Sequence, residues 1–273
     1  MTIAPVLLCW PLAFGQTAVK ENVVPLPINE VETASDLRTI DHDAFKAGEK
    51  LTYVVHYGML NAGEAVIELK ESERDIRGRK VLHAVGTGKT LGAFNWFYKV
   101  NDRYETYLDE EGVFPWMFVR RVNEGGFIID QDYTYFQHKQ EVKTQKGEVF
   151  EVTPHIQDML SSFYFSRTLD MSKAKKGDVF VFDCFTDDEV FPLRVQYLGK
   201  EEVEIRNGKY KCLKFAPIVQ EGRVFEENED LLIWLSDDGN RIPILAKAKV
   251  VVGSIKVELT GYEGLSHAIA KVK

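Results

Sequence analysis

Cysteine is scarce in this sequence. Only Cys9, Cys184 and Cys212 occur among 273 residues, too few for a disulfide-built scaffold, and none has a partner at metal-ligand spacing. Positive charge is also in deficit: 34 Lys and Arg stand against 42 Asp and Glu, leaving a net charge of −8. An acidic surface repels phosphate backbones and offers no basic patch to anionic headgroups, so nucleic acid is not an expected partner. Beyond the N-terminus no apolar run reaches the length of a membrane span, so the mature chain is expected to hold no transmembrane segment. Catalytic signatures are missing as well. There is no Gly-x-Ser-x-Gly elbow and no His-Glu-x-x-His zinc helix. The six histidines, His42, His56, His83, His138, His155 and His267, are scattered. Gly86-Thr87-Gly88-Lys89-Thr90 looks like the end of a phosphate-binding loop, but the position that needs the first glycine holds His83. Without that glycine the backbone amides cannot curl around phosphate. No cofactor and no metal site is implied.

The first fifteen residues form a separate unit. Ile3 to Phe14 is uncharged and has the length of a signal-peptide apolar region, with small residues in Ala13-Phe14-Gly15 before Gln16 at a cleavage-like site. Pro5 and Pro11 interrupt a buried strand or helix there. A positive leader is absent, because Thr2 follows Met1, which suggests a start site placed a few residues too late. Leu8 before Cys9 is not the small residue that a lipid anchor needs. The expectation is an exported protein, periplasmic or outer-membrane associated, whose mature form keeps Cys184 and Cys212. These could form a disulfide in an oxidising compartment, but strand-to-strand geometry is demanding, and two buried free thiols are the simpler outcome.

Residues 16–45, with Pro25 and Pro27, read as an extended arm. From Gly48 onward the pattern is β. Leu51, Tyr53, Val55 and Tyr57 alternate; so do Ala65, Ile67 and Leu69, then Phe191, Leu193, Val195 and Tyr197, then Ile255, Val257 and Leu259. Period-two alternation marks sheets with one face buried. Asn207-Gly208 between Val203/Ile205 and Leu213/Phe215 signals a hairpin, and Val252-Gly253-Ser254 a second turn. One amphipathic helix is expected at about 155–168, where Ile156, Met159, Leu160, Phe163 and Tyr164 form an apolar stripe. The fold class is mainly β, α+β at most.

The chain also repeats itself. Gly48-Glu49-Lys50-Leu51-Thr52-Tyr53 matches Gly177-Asp178-Val179-Phe180-Val181-Phe182. Gly78-Arg79 matches Gly208-Lys209. Tyr107-Leu108-Asp109-Glu110-Glu111-Gly112, followed by Pro115, matches Trp234-Leu235-Ser236-Asp237-Asp238-Gly239, followed by Pro243. The near-constant offset predicts two related halves, about 47–150 and 176–263, within one domain at 46–263, and a tail at 264–273. Recurrent turn chemistry is the alternative, since an acidic residue followed by Gly is a common way for sheets to turn.

Candidate chemistry is thin. Asp130 and Asp132 share one face of a strand and could present carboxylates to a sugar, although polar-out alternation yields such pairs without function. Of Arg120 and Arg121, one must point inward, where an unpaired guanidinium is costly, and Asp130 or Asp132 on the next strand are candidate partners. Asp130, Asp132 and Arg120 are therefore the catalytic candidates. Aromatic residues are more plentiful than one core face can absorb. Trp96, Phe97, Trp116, Tyr133, Tyr135 and Phe163 are the candidate ligand-binding residues, for an amphiphile in a half-open barrel capped by the helix. A thick two-layer core is the alternative use of the same rings.

Gly48-Glu49-Lys50-Leu51-Thr52-Tyr53, Gly58, Ala62-Gly63, Arg194-Val195, Gly208-Lys209-Tyr210-Lys211-Cys212, Ile233-Trp234-Leu235 and Gly253-Ser254-Ile255 resemble the domain of unknown function 3108 family over roughly residues 45–263. The resemblance implies an exported envelope protein of a double-membraned bacterium. It also implies a large antiparallel sheet curled into a spiral or half-barrel, similar in shape to lipoprotein-localisation and lipid-carrier half-barrels, and it brings no activity. Three readings follow: non-catalytic binding of an amphiphile, a lipoprotein or an envelope glycan in a curved sheet; a glycan hydrolase or lyase; or a scaffold for another envelope protein.

Overall fold

A computed structural model describes residues 22–23, 37–218, 231–250 and 253–272. The expected signal segment, most of the expected arm and Val252 of the expected turn lie outside these residues. In chain order the elements are β1 Asn22–Val23, β2 Lys50–Tyr57, β3 Leu60–Ile76, β4 Arg79–Thr90, a short helix α1 Phe94–Phe97, β5 Asn101–Asp109, β6 Pro115–Glu124, β7 Phe127–Phe136, β8 Glu141–Thr144 and β9 Val149–Glu151. Then come helix α2 Met159–Thr168, β10 Asp178–Thr186, β11 Glu189–Ile205, β12 Gly208–Pro217, β13 Leu231–Ser236, β14 Pro243–Lys249 and β15 Ser254–Glu263.

All fifteen strands found among the described residues belong to one sheet, ordered β1-β10-β11-β12-β13-β14-β15-β2-β3-β4-β5-β6-β7-β8-β9. Apart from the parallel β1–β10 pair, every described ladder is antiparallel. Two meanders thus join where β15 pairs with β2, with Val257 opposite Val55 and Leu259 opposite Tyr53. The mainly β expectation holds. The spiral or half-barrel does not: the strand order is linear, with β1 and β9 as its two ends, and the sheet is neither closed nor strongly curled. The physical reason lies at β9. That strand is three residues long, and the chain leaves it for α2 instead of extending a ladder across the opening. Among the described residues, β1 pairs with the first two residues of β10 and Gln157 bridges its far end, where its backbone bonds Asp183 at 3.0 Å and Phe185 at 2.8 Å. Covering an edge with one bridging residue blunts it without closing the sheet.

Alternation reads through to burial. Leu51 and Tyr53, then Ala65, Ile67 and Leu69, then Ile255, Val257 and Leu259 are buried in the main core. The Asn207-Gly208 hairpin forms, with Ile205 paired to Gly208. The helix starts later than its apolar stripe suggests, because His155 takes a left-handed φ of 58° and Asp158 is the N-cap. The Asp158 carboxylate accepts from the amides of Leu160 and Ser161 at 2.8 and 2.7 Å, and the Ser161 hydroxyl accepts from the Asp158 amide. This reciprocal cap satisfies amides that the first turn leaves open.

Candidate functional site

Helix α2 lies against one face of the second meander and does not fill the space under it. An apolar cavity of about 170 Å³ remains. Met159, Ser162, Phe163 and Ser166 wall it from the helix, Phe180, Phe182 and Cys184 from β10, and Phe191 and Leu193 from β11. Leu213 and Phe215 of β12 and Ile233 and Leu235 of β13 complete the floor. These strand residues line it because alternate side chains of neighbouring strands share a face. The serines do not make the wall polar. The Ser162 hydroxyl donates to the Met159 carbonyl at 2.9 Å, and that of Ser166 to Phe163 at 2.8 Å. Burial pushes the Cys184 thiol well above its ordinary range, so it stays protonated and unreactive.

Among the described lining residues Arg241 alone is charged. It donates to the Arg167 carbonyl at 2.5 Å, and burial lowers its pKa. An apolar chamber with one guanidinium in its wall suits a ligand with an apolar chain and an anionic end. An apolar cavity of about 150 Å³ stays dry and admits benzene. A volume of this size matches the end of an alkyl chain rather than a whole lipid.

Of the aromatic residues singled out by sequence, Phe163 lines this cavity. Trp96 and Phe97 stand almost fully exposed on α1. Trp116 is buried beside Phe114 and Val81, donating from its indole to Asp109 at 3.1 Å. Tyr133 and Tyr135 are core residues whose hydroxyls donate to the Asp188 carboxylate at 2.8 Å and the Phe185 carbonyl at 3.4 Å. Phe180, Phe182, Phe191 and Phe215 were not singled out. Their only sequence signal is strand alternation, which an ordinary core phenylalanine also gives.

The three catalytic candidates do not converge. Arg120 is the inward member of its pair, as alternation requires, and bonds Asp187 at 2.8 Å and Gln131 at 3.2 Å. Asp130 and Asp132 pair instead with Arg121, at 3.2 and 2.6 Å, in a largely exposed cluster. Among the buried polar clusters that went unread in the sequence, two stand out. Asp102 on β5 and Glu124 at the end of β6 are buried together, and burial pushes both pKa values up, Asp102 raising Glu124 further. The other is Arg167, fully buried on α2, which forms two 2.7 Å bonds to the Glu49 carboxylate. Cys184 and Cys212 are both buried free thiols. Among the described residues no group of three or more His, Cys, Asp or Glu is placed to hold a metal ion, and no helix is long and apolar enough to cross a membrane.

Comparison with known proteins places these features in a family context. The model of the family described as protein of unknown function DUF3108 matches residues 52–260. No curated protein matches the chain. Among solved structures, a β-barrel-like protein of domain of unknown function DUF1849 from Brucella abortus superposes with a TM-score of 0.50 at 12% identity, over 84% of this chain and 99% of that one. At that identity the likeness shows a shared fold and nothing about function. A hypothetical protein from Chlamydia trachomatis gives a TM-score of 0.37 at 6% identity, covering 85% of this chain and 94% of that one.

Proposed function

The chain belongs to the DUF3108 family, and we propose that it is an exported envelope protein, periplasmic or outer-membrane associated, which binds an amphiphile without catalysis. One observation carries the reading: the apolar cavity under α2, with Arg241 in its wall. An apolar surface of this kind gains free energy when an apolar chain covers it. The uncharged N-terminal stretch Ile3–Phe14 supports export. A glycan-hydrolase reading draws no comparable support, because Asp130 and Asp132 are engaged by Arg121. We take the scaffold itself as a duplicated unit. Strands beginning at residues 50, 60, 79, 101, 115 and 127 are followed, 127 to 130 residues later, by strands beginning at 178, 189, 208, 231, 243 and 254.

The test is native mass spectrometry of the protein purified gently from its own envelope, followed by lipid and glycan analysis of released material. Titration with the apolar fluorophore N-phenyl-1-naphthylamine accompanies it. The expected result is one discrete bound amphiphile, fluorophore uptake displaced by it, and at least tenfold weaker uptake in Ser162→Trp, which fills the chamber. Arg241→Gln is expected to weaken an anionic amphiphile more than its neutral analogue. A bare protein that also ignores added envelope lipids overturns the reading, as does undiminished uptake by a folded Ser162→Trp variant.

A further inference from the structure

Six large apolar side chains stand out into solvent at one rim of the sheet. Met59 and Leu60 form the tip of the β2–β3 hairpin, Trp96 and Phe97 end α1 between β4 and β5, and Phe127 and Ile128 open β7 after the Gly125-Gly126 turn. Their exposure is extreme: 97% for Met59, 90% for Trp96 and 85% for Phe97. The meander brings these segments together, because every second connection falls at the same end of the sheet. The Leu91 amide donates to the Ala62 carbonyl at 2.8 Å, the Tyr57 and Phe94 rings meet at 6.4 Å, and the Gly125 amide donates to Lys99 at 2.8 Å. The three sites form one continuous rim.

Scattered single apolar residues on a surface need no explanation, but a cluster at one rim does. We propose that this rim inserts into the headgroup and upper acyl layer of a lipid bilayer, docking the protein at a membrane surface. Charge favours a bilayer as the occupant. Residues 57–63, 91–100 and 125–129 contain one charged side chain, Lys99, in a chain of net charge −8. The flanking carboxylates of Glu64 and Asp130 are paired with Lys89 and Arg121, so the rim sets no unpaired carboxylate against lipid phosphates in a chain that is acidic as a whole. Shape favours it too. The side chains sit on three separate connections at one end of the sheet, and projecting tips suit penetration of a fluid layer. Trp and Phe at such positions are characteristic interfacial anchors. The proposal is independent of the cavity: a docked protein with a filled chamber, or a free protein with a loaded one, would separate the two.

The test uses the full chain with Trp10→Phe and vesicles of phosphatidylethanolamine and phosphatidylglycerol. Trp116 and Trp234 are buried, so Trp96 is the tryptophan a bilayer can reach. Expected are a blue shift on vesicle addition and quenching by phospholipid brominated high in the acyl chain. Trp96→Ser/Phe97→Ser and, separately, Phe127→Ser/Ile128→Ser should lower cosedimentation with vesicles at least tenfold while leaving the far-UV circular dichroism unchanged. Absence of Trp96 quenching overturns the proposal. So does equal cosedimentation of the wild type and both folded variants, which would assign binding to the apolar N-terminal stretch. A concentration-dependent dimer abolished by Trp96→Ser/Phe97→Ser, without quenching, would assign the rim to a second copy and overturn it as well.

Discussion

Arg167 ties the helix to both meanders. Besides its two bonds to Glu49, at the start of β2, it donates to the Ala44 carbonyl at 3.0 Å and to Asn240, in the β13–β14 turn, at 2.8 Å. The Phe45, Phe163 and Tyr164 rings pack around its guanidinium. Removing one partner of a buried pair leaves an uncompensated charge, which costs about 3–5 kcal/mol. Glu49→Ala should therefore lose that much stability in urea titration, whereas Glu49→Leu/Arg167→Met should recover most of it. A loss below about 1 kcal/mol would mean that water reaches the site. Glu124 gives a pH dependence with a definite sign. Its carboxyl moves from an ordinary 4.5 up to about 8 in the fold, through burial first and Asp102 second. Between those values the native state holds a proton that the unfolded state has lost. The resulting stability is complete in acid and disappears as pH rises through about 8. Glu124→Gln should thus gain stability relative to the wild type as pH goes from 5 to 8, read from urea midpoints, and a constant difference would refute the assignment. At this scale the sequence was partly legible. Alternation fixed that one of Arg120 and Arg121 points inward, but the inward partner, Asp187, is 67 residues away on a turn, and local pattern carries no information about such a pair.

Elements were legible where one rule decided them. Long strands with one buried face show period two, and the Asn-Gly hairpin needs the turn chemistry it has. The start of α2 was misjudged because periodicity marks an apolar face, not the residue where helical φ begins. Ile156 belongs to the stripe and is buried, yet it precedes the Asp158 cap. The curl of the sheet was misjudged for a different reason. Closure depends on whether the end strands meet, and a three-residue β9 leading into a helix settles that through chain path, not residue pattern. A cavity under the helix was expected, but apart from Phe163 its lining was missed, because a Phe in a strand looks the same whether it meets a neighbour or a void. The cap itself is testable. The Asp158 carboxylate is fully buried, caps two amides and accepts the Thr106 hydroxyl at 2.9 Å, thereby joining α2 to β5. Cap removal costs about 0.5–2 kcal/mol, and the stranded Thr106 hydroxyl adds to it. Asp158→Ala should lower stability by about 2 kcal/mol and speed amide exchange in the first turn of α2, while Asp158→Asn retains most of the cap. Unchanged exchange in the alanine variant would show that packing alone sets the helix start.

At the scale of the molecule, two meanders share one hydrogen-bonded sheet. The seam is the β15–β2 pairing, which runs from Ile255 opposite Tyr57 to Glu263 opposite Lys50. It brings the last strand of the chain onto the first strand of the main meander, so neither half has a complete edge without the other. Two further ties cross from the β10–β11 turn to the first meander, Asp187 to Arg120 and Asp188 to Tyr133, and Arg167 makes a third. Repeat units coupled only to their neighbours can unfold in stages, whereas a ladder with interlocked side chains on both sides of the seam should melt as one unit. Trp116 lies in β6 and Trp234 in β13, and both are buried. Chains retaining only one of them therefore report on one half each. The expectation is coincident urea transitions for the Trp116-only and Trp234-only proteins and for far-UV circular dichroism, the standard sign of a two-state transition. Two midpoints separated by more than about 0.5 M, beyond the usual extrapolation scatter, would mean that the halves are thermodynamically independent. The seam would then be a contact between finished domains. Placing a proline at Val257, whose neighbours across the ladder are Val55 and Ala246, distinguishes the two further. In a cooperative sheet it should destabilise the Trp116 and Trp234 signals equally, since a lost central ladder bond weakens the one unit that exists. In an independent pair it should lower the Trp234 midpoint and leave the Trp116 midpoint in place.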